Sequence, residues 1–374
     1  MQFFRFLRTA YVSDLVFRNS KSIISERLLD QAFAWLCQRR IDYSPHDTVW
    51  GLRANWQQHK VDILSKLNSG QYRLSPQNRI RLSNGETIDI WTAHDALVLK
   101  ALTITLSDLL PVSPHCTHIK GHGGLKRAVR DVYQHLPDNG FVLRTDVKSY
   151  YASIDHIELL DRLAVYIKDK TIVNLVSQYL KRSTEYGGTF KDFDQGISRG
   201  CPLSPLMAAF YLHELDVALA KEPVFYIRYM DDILVLAKTR HKLRRAIASV
   251  NSVLSSLKLI KHPDKTTMGH ICRGFDFLGY HFTRAGLSPA RETVRNFLTK
   301  RSRLYEQNGT VQRKDWGWSP TKRKTQTIET IITIYTNRWI GWVFGGLQNV
   351  PINCSCDDAF GNTCFSVLGD LTRA

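Results

Sequence analysis

Phe225-Tyr226-Ile227-Arg228-Tyr229-Met230-Asp231-Asp232-Ile233-Leu234-Val235-Leu236-Ala237 decides how the rest of the chain is read. Two apolar, β-favouring runs flank Met230-Asp231-Asp232, which predicts a hairpin with two carboxylates at its tip. A second apolar strand, Phe141-Val142-Leu143-Arg144-Thr145, closes on Asp146. Carboxylates at the ends of buried strands are costly unless a cation neutralises them. If the strands lie side by side, three carboxylates converge and can hold two Mg²⁺ ions. Each acid taken singly has a plainer explanation, because Asp also serves turn chemistry and caps helices.

The chain has 374 residues, enough for two or three small domains. Lys and Arg outnumber Asp and Glu by 51 to 34, a formal charge of +17. A surplus of that size, spread along the chain and interleaved with aromatic residues, points to a polyanion lying in a long groove. Seven scattered cysteines, among them Cys354, Cys356 and Cys364, do not form a secreted disulfide framework. The last three have the wrong spacing for common zinc sites, so reduced thiols are expected. No stretch approaches the length that spans a bilayer, and a cytoplasmic location is the default expectation.

Periodicity predicts helices through residues 1–70, the second from Trp56 to Leu67. A hairpin around Asn84-Gly85 follows, then helices over 95–110 and 125–135. Residues 187–204 are expected as loop, 205–219 and 242–257 as helix, and 274–287 as extended structure. From Ala290 to about Leu347 the pattern is helical and very basic.

Five segments stand in a telling order. Asp146-Val147-Lys148-Ser149-Tyr150-Tyr151 comes first, then Gly196-Ile197-Ser198-Arg199-Gly200-Cys201-Pro202-Leu203-Ser204-Pro205. Tyr229-Met230-Asp231-Asp232, His262-Pro263-Asp264-Lys265-Thr266 and Phe275-Asp276-Phe277-Leu278-Gly279-Tyr280 complete the set. Together they resemble the reverse transcriptases of bacterial retroelements: group II introns, retrons and their free-standing relatives. The resemblance runs from about Trp50 to Tyr280 and implies an α+β right-hand polymerase. Fingers would occupy residues 50–140, the palm 141–282 and a helical thumb 283–350. A helical extension (1–49) would precede them and a tail (351–374) would follow.

By that resemblance Asp146 and Asp231 bind two Mg²⁺ ions (or Mn²⁺), the Val147 carbonyl adds a ligand, and Asp232 completes the cluster. Lys265 serves as general acid or positive clamp for pyrophosphate. Tyr151 stands where the family carries its steric gate against a 2′-hydroxyl, and Phe277, Leu278, Gly279 and Tyr280 form the primer grip. The chain also departs from the family. Arg199 replaces the usual Gln before Gly200, so both residues are placed at the nucleotide pocket with an altered contact. Gly85 to Trp91 replaces the usual fingers motif, leaving Arg79, Arg81, Lys120 or Lys126 to meet the triphosphate. Lys120-Gly121-His122-Gly123-Gly124-Leu125-Lys126 is equally readable as a phosphate loop or as a tight turn.

The partners so implied are an RNA template, a DNA primer and product strand, and dNTPs, with no membrane; the sequence does not identify protein partners. Departures in the fingers look most like free-standing enzymes, many of which serve antiphage defence with a dedicated noncoding RNA. No segment resembles an RNase H, integrase or endonuclease domain, so self-sufficient retrotransposition is not expected. Two other classes remain open: an RNA-binding splicing cofactor of maturase type on the same scaffold, and a protein-primed or template-independent DNA synthesiser.

Overall fold

The computed structural model describes residues 24–81, 85–310, 328–347 and 350–352. Cys354, Cys356 and Cys364, the hairpin residue Asn84 and most of the basic stretch from Arg313 to Arg338 fall outside them. The fold is mixed α and β, divided into two compact units of discontinuous chain. One comprises Met1–Val112, Ser149–His213 and Leu257–Leu259; the other comprises Ser113–Lys148, Glu214–Ser256 and Ile260–Ala374.

The first unit is built on helix Ala93–Ser107, ten of whose fifteen residues are buried. Helices Glu26–Arg39 and Val49–Ala54 pack against it. Its buried Asp95 is pushed up by burial but is fully partnered, taking hydrogen bonds from Tyr72 Oη (3.0 Å), Thr92 Oγ1 (2.7 Å) and the Ser75 N–H (3.1 Å). Strands Gln77–Arg81 and Thr87–Ile90 form the expected antiparallel hairpin. Gln77–Arg81 also pairs in parallel with Ser183–Tyr186. That strand turns through Gly187 (φ +59°) and Gly188 (φ +82°) into Thr189–Asp192, so part of the predicted loop is a hairpin. Two left-handed residues in a row match the strand twist, and glycine adopts them without steric cost.

The predicted helix over 205–219 is two helices, Ser204–Tyr211 and His213–Ala220. Tyr150 Oη donates to the Ala208 carbonyl at 2.6 Å, occupying the acceptor that a continuous helix offers to its fourth following residue. A tertiary hydrogen bond thus competes with helix propagation where local sequence shows no breaker.

The second unit carries a four-stranded, wholly antiparallel sheet in the order Phe225–Tyr229, Asp232–Ala237, Phe141–Thr145, Thr267–His270. Val142, Leu234 and Leu236 join Ala128, Val129 and Val132 of helix Gly124–His135 in one core. Helix Arg240–Ser256 packs on the two central strands and buries Leu243, Ala246, Val250 and Leu254. A three-stranded sheet, Phe275–Phe277, Tyr280–Thr283 and Gly286–Pro289, extends the first core through Phe277, Phe282 and Leu287. Helices Arg291–Thr310 and Ile328–Phe344 then pair, with Phe297 stacked on Trp339 (4.4 Å) and Tyr335 (5.4 Å).

Candidate active site

Register brings the acids together. Tyr229 pairs with Asp232 across the hairpin, and Thr145 pairs with Ile233 on the neighbouring strand. Asp146 and Asp232 therefore leave adjacent strands at the same end of the sheet, with Asp231 at the hairpin tip between Tyr229 and its partner. On the far side of Phe141–Thr145, Arg144 pairs with Thr267, and Thr145 Oγ1 lies 2.8 Å from Thr266 Oγ1. Lys265, one residue earlier, consequently reaches Asp146: Nζ to Oδ2 is 2.8 Å. The His262 N–H donates to the Asp146 carbonyl at 2.7 Å, and Val147 bridges to Lys261.

Charge in this cluster is unbalanced. Burial, and after it the negative charge of Asp146 and a hydrogen bond to that carboxylate, pushes Asp231 up to about 7. Burial also raises Asp232, opposed chiefly by Arg144, whose Nη2 stands 3.6 Å from Oδ1. Asp232 Oδ1 is nevertheless buried without a hydrogen-bond partner among the described residues. The hydrogen bond to Asp146 holds Lys265 protonated above its ordinary range.

Among the described residues no set of three or more His, Cys, Asp or Glu side chains is already spaced as a metal cage. The donor chemistry still fits a divalent cation: hard carboxylate oxygens, one of them buried without a hydrogen bond among the described residues, in a cluster whose own repulsion suppresses ionisation.

The first unit holds three of the expected nucleotide residues, Tyr151, Arg199 and Gly200. Tyr151 lies in the short helix Tyr150–Ser153, half-buried, its ring 6.0 Å from that of Tyr150. The Ile197 N–H donates to the Tyr151 carbonyl at 2.7 Å, and the Gly196 N–H to Ile154 O at 2.8 Å. Gly196 is required here, since a Cβ would stand 2.8 Å from Ala152 Cα. Beyond it Ser198 is buried and bonded by Gln77 Nε2 at 2.7 Å, while Arg199 and Gly200 are exposed. The motif loop is thus fastened to the Tyr151 turn and presents Arg199 outward.

Lys120 is exposed, but Lys126 is turned inward. Its ammonium contacts Tyr280 Oη (2.5 Å) and the Trp342 carbonyl, lies 4.9 Å from the Trp342 ring, and is lowered to about 8 by burial. This side chain caps helix Ile328–Phe344 and is not presented to a phosphate. Of the loop N–H groups, that of Gly124 is taken by Thr117 O and that of His122 by Ile119 O, the bonding of a tight turn. Phe277 and Tyr280 pair across a turn formed by Leu278 (φ +49°) and Gly279 (φ +84°). Gly279 O accepts from Thr293 Oγ1 (3.0 Å) and the Ala290 N–H (2.9 Å), which fixes that turn to helix Arg291–Thr310.

One layer was missed from sequence. Arg228, fully buried, is gripped by Asp216 through two 2.7 Å bonds, and Tyr226 Oη donates to the same carboxylate. The available signal was an arginine on a strand otherwise reading as core.

Residues 91–282 match the family described as reverse transcriptase (RNA-dependent DNA polymerase). Protein YkfC of Escherichia coli (strain K12) is 25% identical over 271 residues, covering 59% of this chain and 70% of its own. The group II intron-encoded protein LtrA of Lactococcus lactis subsp. cremoris is 21% identical over 375 residues, covering 75% of this chain and 62% of its own. Among solved structures, a chain of a partial Cas6-RT-Cas1–Cas2 complex is 21% identical with a TM-score of 0.38, over 63% of this chain and 41% of that one. The chain therefore spans less than two thirds of LtrA and of the solved chain.

Proposed function

This chain belongs to the reverse transcriptase (RNA-dependent DNA polymerase) family, and we propose that it copies RNA into DNA at the acidic centre of Asp146, Asp231 and Asp232. One observation carries the assignment: strand register delivers three carboxylates to one end of an antiparallel sheet, where Asp231 is pushed up to about 7 and Asp232 Oδ1 is buried without a hydrogen bond among the described residues. Among the described residues Arg144 and Lys265 offset part of that cost, and divalent cations would offset the rest.

Enzymes of this family use divalent metal. Asp146, Asp231, Asp232 and the Val147 carbonyl would hold it here, and when bound it would supply Lewis-acid activation of a 3′-hydroxyl and charge neutralisation on the departing pyrophosphate. Lys265 keeps its proton and its ion pair with Asp146, so a fixed positive charge stands beside the centre before substrate arrives. That ammonium would neutralise or protonate the leaving pyrophosphate. Tyr151 would gate the sugar, and exposed Arg199 and Gly200 would contact the nucleotide or its template. Phe277 to Tyr280, a rigid turn tied to the following helix, would hold the primer end. In this layout residues 50–140 are fingers, 141–282 palm and 283–350 thumb.

The template we propose is a dedicated noncoding RNA and the role antiphage defence. The support is the altered fingers segment Gly85 to Trp91, which looks most like the free-standing enzymes. Purification with co-expressed RNA, followed by Mg²⁺ and labelled dNTPs, tests the activity. Wild type should make DNA complementary to the bound RNA, and Asp231→Ala/Asp232→Ala should make none; synthesis by the double variant would overturn the site assignment. Sequencing the bound RNA identifies the template, and a random cellular sample would remove the dedicated-template reading.

A further inference from the structure

Met230, at the tip of the acidic hairpin, has φ +56°, a left-handed conformation that residues with side chains avoid. Both polar groups of its backbone are held. The Met230 N–H donates to His118 Nδ1 at 3.0 Å, and Arg228 Nη1 donates to the Met230 carbonyl at 2.9 Å. An N–H donor requires a lone pair on Nδ1, so the ring proton of His118 is on Nε2.

His118 is itself well anchored. The Arg228 N–H donates to His115 O and the Thr117 N–H to Arg228 O, each at 3.0 Å, so residues 115–117 run beside the strand that leads to the tip. Cys116 and Arg228 form a parallel bridge there. The His118 ring stands edge-on to Tyr229 at 5.9 Å, and Cys116 Sγ lies 3.3 Å from the same Nδ1. On the opposite side the Arg228 guanidinium is fixed by the two bonds to Asp216.

We propose that His118 is a positioning residue: with Arg228 opposite, its Nδ1 locks Met230 in the left-handed form and so fixes the direction in which Asp231 presents its carboxylate. The proposal rests on the assignment of Asp231 to the metal-binding centre. Asp231 follows Met230 directly, so the Met230 backbone angles set where its Cβ points. Asp146 leaves the adjacent strand at the same end of the sheet, so the direction of the Asp231 side chain decides whether the two carboxylates can share a cation. Displacements of about 1 Å at a reacting centre cost up to ~10²-fold in rate.

The test uses the full chain with His118→Phe, a ring lacking the acceptor, and His118→Asn, whose Oδ1 can take the place of Nδ1. Mn²⁺ binding to the free protein, followed by electron paramagnetic resonance, is read beside kcat, KM for dNTP and the melting temperature in chelator. His118→Phe should weaken Mn²⁺ binding and lower kcat, each ~10-fold or more, with KM for dNTP unchanged. His118→Asn should recover most of both, and all three proteins should melt alike without metal. The proposal is overturned if His118→Phe binds Mn²⁺ and turns over like wild type, if His118→Asn is no better, or if the losses track a lowered melting temperature. Asp231→Asn, measured in parallel, separates the two failures. Retained Mn²⁺ affinity there removes the metal-site assignment itself, whereas its loss beside an unaffected His118→Phe removes only the positioning role.

Discussion

Asp231 gives the chain a pH signature that metal should invert. Its folded value of about 7 lies above the ordinary 3.8, so the native state binds this proton more tightly than the unfolded chain does. The associated stability is fully present below about pH 3.8 and is lost as pH rises through 7. In chelator, Asp231→Asn should therefore raise the melting temperature at pH 8 by ~2 °C and flatten its pH dependence between 4 and 8, as thermal melts would show. The same substitution should lower DNA synthesis by ~10³-fold, because metal stabilisation of transition-state charge is worth several kcal/mol. Proton and metal compete for one carboxylate, so the Mg²⁺ concentration needed for half-maximal rate should climb as pH falls below 7. Deeper in the same unit, Asp216 is a structural counterpart to these acids. Asp216→Ala would strand the buried Arg228 charge, and urea unfolding should show a loss of about 3–5 kcal/mol.

Elements were legible where one period and one turn chemistry governed them. The hairpin from Phe225 to Ala237 could be read because apolar strands flank a polar tip, and its two acids stand at that tip in three dimensions. Strand Thr189–Asp192 could not: all four residues are exposed, so no alternation marks it, and only Gly187-Gly188 betrayed the turn. The break at Leu212 was hidden because its cause, the Tyr150 hydroxyl on Ala208 O, lies 58 residues away in sequence. Lys126 misled for a related reason, since an amphipathic lysine after a glycine-rich loop has the same appearance whether it meets a phosphate or a helix end. The Leu278-Gly279 turn carries a prediction at the element scale. Gly279 has φ +84°, and a Cβ there would stand 2.9 Å from Trp342 Cη2. Gly279→Ala should cost about 1–3 kcal/mol of stability. It should also weaken extension of a primer more than binding of dNTP, as a comparison of KM values for the two would reveal.

At the scale of the molecule, the dominant fact is a net charge of +17, and most of the charged side chains among the described residues face water. One organised display is helix Arg291–Thr310, where Arg291, Arg295, Lys300 and Arg303 are exposed and Tyr305 stands among them. Glu292 pairs with Arg295 on the same helix. Cations in that density gain little from one another in water, and they gain from a phosphate backbone by releasing its condensed counterions. Affinity for an RNA–DNA duplex should then fall linearly on a log–log plot against salt, with a slope of roughly −0.7 to −0.9 per phosphate engaged. Substituting Lys300→Gln and Arg303→Gln together should flatten that slope by about 1 to 2, weaken binding uniformly across sequences, and leave the rate at saturating duplex near wild type. Fluorescence anisotropy between 50 and 200 mM salt, about the range over which such contacts lose most of their strength, reads the slope directly. An unchanged slope would place the duplex on another surface and leave this basic helix merely solvated.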